Sequence, residues 1–159
     1  MKKIIAVPLI VMVFAALYFS GLNKTVETII LKNTPGYCGY SISTKLEYKN
    51  ETYKLFFVPD MKGNGLCPDS RKDCYGLTKV ENGEIKIYID PCQKNMYYVK
   101  RVCEHEFCHV MMYKAGYPFD KRQEAICEKL EENIFMFDEC EKVMEELKNE
   151  IKWIETELS

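Results

Sequence analysis

The spacing of hydrophobic positions changes three times along the chain, and each change marks a different kind of element. Met1-Lys2-Lys3 precedes Ile4 to Leu22, nineteen residues without a charge. A bilayer core needs about 20 apolar residues, whereas the apolar core of a cleaved signal peptide runs to about 7–15. The small-x-small cleavage pattern is poor, because Tyr18 stands three residues before the best cut. Residues 1–23 are therefore expected to form an uncleaved signal-anchor, a single-pass transmembrane helix; a cleaved leader would instead give a secreted protein. Lys2 and Lys3 favour a cytoplasmic N-terminus with the rest of the chain extracytoplasmic. Residues 24–36 read as a linker helix with Val26, Ile29 and Ile30 on one face, ended by Thr34-Pro35-Gly36.

From Tyr40 the period falls to two. Ile42, Thr44, Leu46 and Tyr48 alternate with polar neighbours, which predicts a half-buried strand. Lys49-Asn50-Glu51 reads as a turn and Tyr53 to Val58 as a second strand. Asp60 to Asp73, rich in Gly, Pro and Asp, is a loop. Asn82-Gly83, set between Leu77–Val80 and Ile85–Ile89, is the strongest hairpin signal in the chain.

Helical spacing then takes over. Asp90-Pro91 reads as an N-cap followed by proline at the first helical position, opening a helix from near Pro91 or Asn95 to Tyr113 that Gly116 stops. Asp120 and Gln123 form a capping box for a helix predicted to continue towards the C-terminus. Along it Leu130, Phe137, Met144, Ile151 and Leu158 fall seven apart, with Cys140, Leu147 and Ile154 between them and Asn133 the one polar residue. This is a heptad seam of about four repeats. Residues 138–159 thus form a long amphipathic helix, whose seam either packs on its own domain or joins subunits into a homo-oligomer.

The chemistry lies in the first of these helices. His105 and His109 are the only two histidines, and with Glu106 they make the pattern His-Glu-x-x-His. Four residues of helix give a rotation of about 40° and a rise of about 6 Å. Both imidazoles then leave one face, close enough to share a Zn²⁺, and Glu106 lies beside the metal, where it can deprotonate a water that the metal activates. Cys103, Phe107, Val110 and Met111 occupy the opposite side, so the helix buries one face and shows the other to a cleft.

Catalytic zinc usually takes three protein ligands. The continuation that would bring Gly and a third His is absent, Met112 and Ala115 holding those places, so the third ligand is a carboxylate or a thiolate. Glu124, on the next predicted helix, is the best candidate, with Glu128 on the same face to accept a hydrogen bond from the far nitrogen of a ligating histidine. Asp120 and Glu128 are rival ligands, and Cys108 a further one or a redox gate.

His105-Glu106-x-x-His109 followed by Gln123-Glu124-Ala125-Ile126-Cys127-Glu128 resembles the gluzincin metallopeptidases, whose second motif reads Asn-Glu-x-x-x-Asp or close variants; the minigluzincins are nearest in size. The resemblance covers roughly Ile85 to Phe137. It implies a zincin-like α+β domain over residues 37–137, a small antiparallel or mixed sheet packed on the His-Glu-x-x-His helix and a Glu-bearing helix. It also implies that the strand just before the metal helix forms the rim of the cleft, where an extended substrate adds as another strand.

Eight cysteines follow the apolar segment. In an oxidising compartment they make up to four disulfides. Cys67 and Cys74 can close a small ring. Cys103 with Cys108, and Cys127 with Cys140, lie too far apart on straight helices to bridge each other, so bridges are expected to tie the metal helix to the Glu124 helix or to the sheet. The formal charge of −2 and the absence of a basic stripe argue against nucleic acid as a partner.

These readings converge on a membrane-anchored zinc metallopeptidase acting on a peptide or protein. In it His105, His109 and Glu124 hold the metal, Glu106 is the general base, and Tyr113 or Tyr117 would supply an oxyanion donor. Two alternatives stand beside it. One is a non-catalytic, disulfide-rich, membrane-tethered assembly protein with a structural metal. The other is a metal-dependent hydrolase of a non-peptide substrate.

Overall fold

A computed structural model describes residues 25–26, 28–67, 74–133 and 138–157. The expected signal-anchor over residues 1–23 lies outside them. Among the described residues no helix is long and apolar enough to cross a membrane.

The alternating segments pair into a four-stranded mixed sheet. Strands β1 (Ile42–Tyr48) and β2 (Glu51–Phe57) form an antiparallel hairpin. Lys49 and Asn50 both take positive φ, 48° and 64°, which gives a two-residue turn with the right-handed twist of the strands it joins. A turn that short needs no third residue, so β2 starts at Glu51 rather than at Tyr53. Strands β3 (Gly76–Glu81) and β4 (Glu84–Ile89) make the second hairpin around Asn82-Gly83, both at positive φ as the sequence predicts. β4 also pairs in parallel with β2, Lys54 opposite Lys86 and Phe57 opposite Ile89, so the order is β1-β2-β4-β3. The strand expected to rim the cleft, Ile85–Ile89, is therefore flanked on both sides. The edge is β3.

Leu46, Tyr53, Leu55, Phe57, Ile87 and Ile89 point to one face of the sheet and are buried there. Against them lies helix α1 (Met96–Lys114), which contributes Val99, Cys103, Phe107 and Val110, all fully buried. The Phe107 ring sits edge-on to Tyr48 and Tyr53, at 5.2 and 5.9 Å between centroids. Asn95 caps α1 through its side-chain oxygen, and Gly116 ends it at φ 89°. Asp90-Pro91 does not open the helix; the Asp90 carboxylate instead accepts from the Cys92 amide at 2.8 Å. On the other face of the sheet, Met61 and the Cys67–Cys74 bridge pack with Leu77 and Tyr88 in a smaller cluster.

The seam, which suits either one long helix or a helix pair, is carried by two helices, α2 (Lys121–Asn133) and α3 (Asp138–Glu157). A disulfide ties each of the two to α1. Cys127 is bonded to Cys108 and Cys140 to Cys103, with Cα separations of 5.7 and 6.0 Å. The seam on α3 is used within the chain: Cys140, Val143, Met144 and Leu147 are buried in the main core and Ile151 packs against it.

The expected linker is tied into the domain too. Residues 28–33 are helical, but Val26, Ile29 and Ile30 are exposed, and Leu31 is the residue that enters the core. The Met96 amide donates to the Thr34 carbonyl at 2.9 Å, and Cys38–Cys92 bridges the next turn of chain to the approach of α1.

Candidate metal centre

His105 and His109 leave α1 one turn apart, with ring centroids 4.8 Å from each other and planes at 77°. Their Nε2 atoms are 3.1 Å apart. Glu124, in the first turn of α2, presents one carboxylate oxygen to each ring, Oε1 at 3.5 Å from His105 Nε2 and Oε2 at 3.2 Å from His109 Nε2. Ligands at 2.0–2.1 Å from a tetrahedral ion sit about 3.3–3.4 Å from one another. The three distances, with a different Glu124 oxygen facing each ring, lie on either side of that value. His105, His109 and Glu124 form a cluster that could hold a metal ion.

Local sequence explains how Glu124 arrives there. Asp120 caps α2, its Oδ1 accepting from the amides of Arg122 and Gln123 at 2.9 Å each. Asp120, the rival ligand, is not part of the cluster. Only half of the expected capping box forms, because the Gln123 side chain is engaged elsewhere. Its Oε1 lies 2.7 Å from His109 Nδ1, and its Nε2 donates to the Tyr117 carbonyl at 3.5 Å, which fixes the amide orientation. An amide oxygen only accepts, so His109 carries a proton on Nδ1, and in the neutral ring Nε2 keeps its lone pair for the cluster. At His109, then, Gln123 fills the kind of role expected of Glu128 towards a ligating histidine. Glu128 is exposed and lines the neighbouring cleft.

The two ligand-bearing helices are covalently stapled beside the site. Cys108, next to His109, is bonded to Cys127, one turn beyond Glu124. Its sulfur is therefore neither a ligand nor a free thiol, but the bridge does join the metal helix to the Glu124 helix as anticipated.

Glu106 is buried on the side of α1 that faces β3. The Thr78 hydroxyl lies 2.8 Å from its Oε2 and 2.9 Å from its main-chain oxygen. A cleft of about 380 Å³ runs between β3 and α2, lined by Gly76, Thr78, Glu106, His109, Phe119 and Glu124 among others. Phe119 stacks on Tyr113 at 4.9 Å and 10°; neither Tyr113 nor Tyr117 is among the residues lining the cleft. Four contributors escaped the sequence reading: Gln123 in its histidine-holding role, Thr78, Gly76 and Phe119. Only Gln123 carried a signal, its place directly before Glu124 in the second motif.

No protein family, curated protein or solved structure matched the chain in comparisons with known proteins. What fold and site define is a disulfide-linked α+β domain with a His₂Glu cluster that could hold a metal ion.

Proposed function

We propose that the protein is a zinc metallopeptidase, tethered to a membrane by its N-terminal apolar segment, that hydrolyses peptide bonds in the cleft between β3 and α2. One observation carries this reading: two imidazole nitrogens and one carboxylate lie within 3.1 to 3.5 Å of one another beside a cleft that a further carboxylate, Glu106, also lines. Two His and one Glu are a ligand set of catalytic zinc. Among the described residues the cluster has three members, which leaves a coordination position for solvent or substrate. A purely structural zinc would have four side chains around it.

Zinc held there would polarise the scissile carbonyl and bring the pKa of a water near neutrality. Glu106 takes the proton from the attacking water and returns it to the leaving amine. Gln123 keeps His109 in the tautomer that binds the metal. β3, as the sheet edge, offers its outer backbone to an extended peptide running along the cleft. The tether rests on the nineteen uncharged residues from Ile4 to Leu22, behind two lysines.

Digestion of a peptide library by the full-length protein, with and without chelator, tests the reading together with Glu106→Gln. Wild type should cleave, chelator should stop it, and Glu106→Gln should keep stoichiometric zinc while losing cleavage. A zinc-loaded wild type that cuts no peptide, or a Glu106→Gln variant as active as wild type, would overturn it.

A further inference from the structure

β3 holds two residues whose presence its own strand geometry does not explain. Gly76 lies in the strand, where glycine packs nothing and costs conformational entropy. It is not among the glycines with positive φ, so no dihedral requires it. Space does. A Cβ at this position would come 2.6 Å from Glu106 Cγ and 2.7 Å from Val102 Cγ1. Two residues on, and so on the same face of the strand, Thr78 is nearly fully buried, with 7% of its surface exposed. A buried hydroxyl needs an acceptor, and both that it meets belong to Glu106, the carboxylate Oε2 at 2.8 Å and the main-chain oxygen at 2.9 Å. One proton cannot serve both at once, and an ionised carboxylate is the stronger acceptor.

We infer that Gly76 and Thr78 form a seat for the Glu106 side chain and act as positioning residues for the general base, an inference that rests on the peptidase reading. Thr78 grips one carboxylate oxygen and so sets the plane of the group; Gly76 leaves the room in which the side chain lies. Because both sit on the edge strand that borders the cleft, the strand offered to a substrate also orients the base. A misplacement of about 1 Å can cost on the order of a hundredfold in rate.

The test uses zinc-loaded full-length protein and three variants, Thr78→Val, Thr78→Ser and Gly76→Ala. Thr78→Val keeps the shape but removes the donor; kcat should fall by about tenfold to a hundredfold, the range that one lost hydrogen bond to a charged group converts to. KM and zinc affinity should hold. Thr78→Ser, which keeps the donor, should recover most of the loss, and Gly76→Ala should behave like Thr78→Val. A second measurement needs neither zinc nor activity. In the metal-free protein the urea-midpoint shifts of Thr78→Val and Glu106→Ala should be non-additive, the second substitution costing less once the first is in place. Wild-type kcat in Thr78→Val, no recovery by Thr78→Ser, or strictly additive shifts would each overturn the inference while leaving the peptidase reading standing. A wild type that cleaves nothing, with the shifts still coupled, would instead overturn the peptidase reading, and with it the role of the seat in catalysis.

Discussion

Replacing Cys108 and Cys127 together by alanine should weaken zinc binding far more than it disturbs the rest of the fold. The reason lies in how little else holds α2. Between Lys121 and Leu130 only Gln123 and Cys127 are buried, and Gln123 is held chiefly through His109. Among the described side chains, the Cys108–Cys127 bridge and the Gln123–His109 contact are thus the buried ties between α1 and the helix that supplies the third ligand. The bridge closes a loop of 19 residues, worth about 3 kcal/mol on the chain-entropy estimate. That is an upper figure, since Cys103–Cys140 already encloses the same segment. If the helix loosens, Glu124 must be re-ordered each time the metal binds, which amounts to roughly a hundredfold loss of affinity. The core of β1, β2, β4, α1 and α3 does not depend on this bridge. Competition with a zinc chelator, run on wild type, the double variant and a Cys38→Ala/Cys92→Ala control, reads the difference directly. The control should lose stability but keep its zinc affinity. A Cys108→Ala/Cys127→Ala protein that binds zinc as tightly as wild type would refute the reasoning, because α2 would then be docked by its own packing.

Two further outcomes follow from single side chains. Gln123→Leu keeps the bulk but removes the acceptor for His109 Nδ1, and zinc affinity in the same chelator competition should drop by about tenfold to a hundredfold; an unchanged affinity would show that the tautomer is held by something else. Glu81, bonded to Lys79 at 2.6 Å and to Lys86 at 2.8 Å, has its pKa lowered from 4.5 to about 2, chiefly by the hydrogen bond from Lys79 and then by that from Lys86. Its folded pKa lies below the unfolded one, so its contribution is present above pH 4.5 and is lost as the pH falls towards 2. Urea midpoints across that window should fall less steeply in Glu81→Gln than in wild type, and parallel curves would contradict the assignment.

The four strands, the two tight turns and the helix bearing His-Glu-x-x-His were legible in the sequence because each is set by local spacing: period two, Asn-Gly, and two histidines four apart. The cap at Asp120 and the position of Glu124 were legible for the same reason. The start of α1 was less so, since Asp90-Pro91 and Asn95 offer rival caps and the loop that buries Asp90 decides between them. The seam from Leu130 to Leu158 looked continuous because heptad spacing records which side chains are apolar, and not whether the chain turns between them. The two helices are each bonded to α1, at cysteines five residues apart.

By itself, then, the sequence placed the two histidines on one face of one helix and narrowed the third ligand to a few carboxylates or a thiolate, of which the fold brings Glu124 to them. Tertiary structure alone decided that β3 rather than β4 is the edge, that Gln123 rather than Glu128 holds His109, and that Thr78 and Gly76 lie against Glu106. Each of those is a contact between elements distant in sequence. Periodicity fixes how residues repeat within an element, but it carries no information about which neighbour the element will meet.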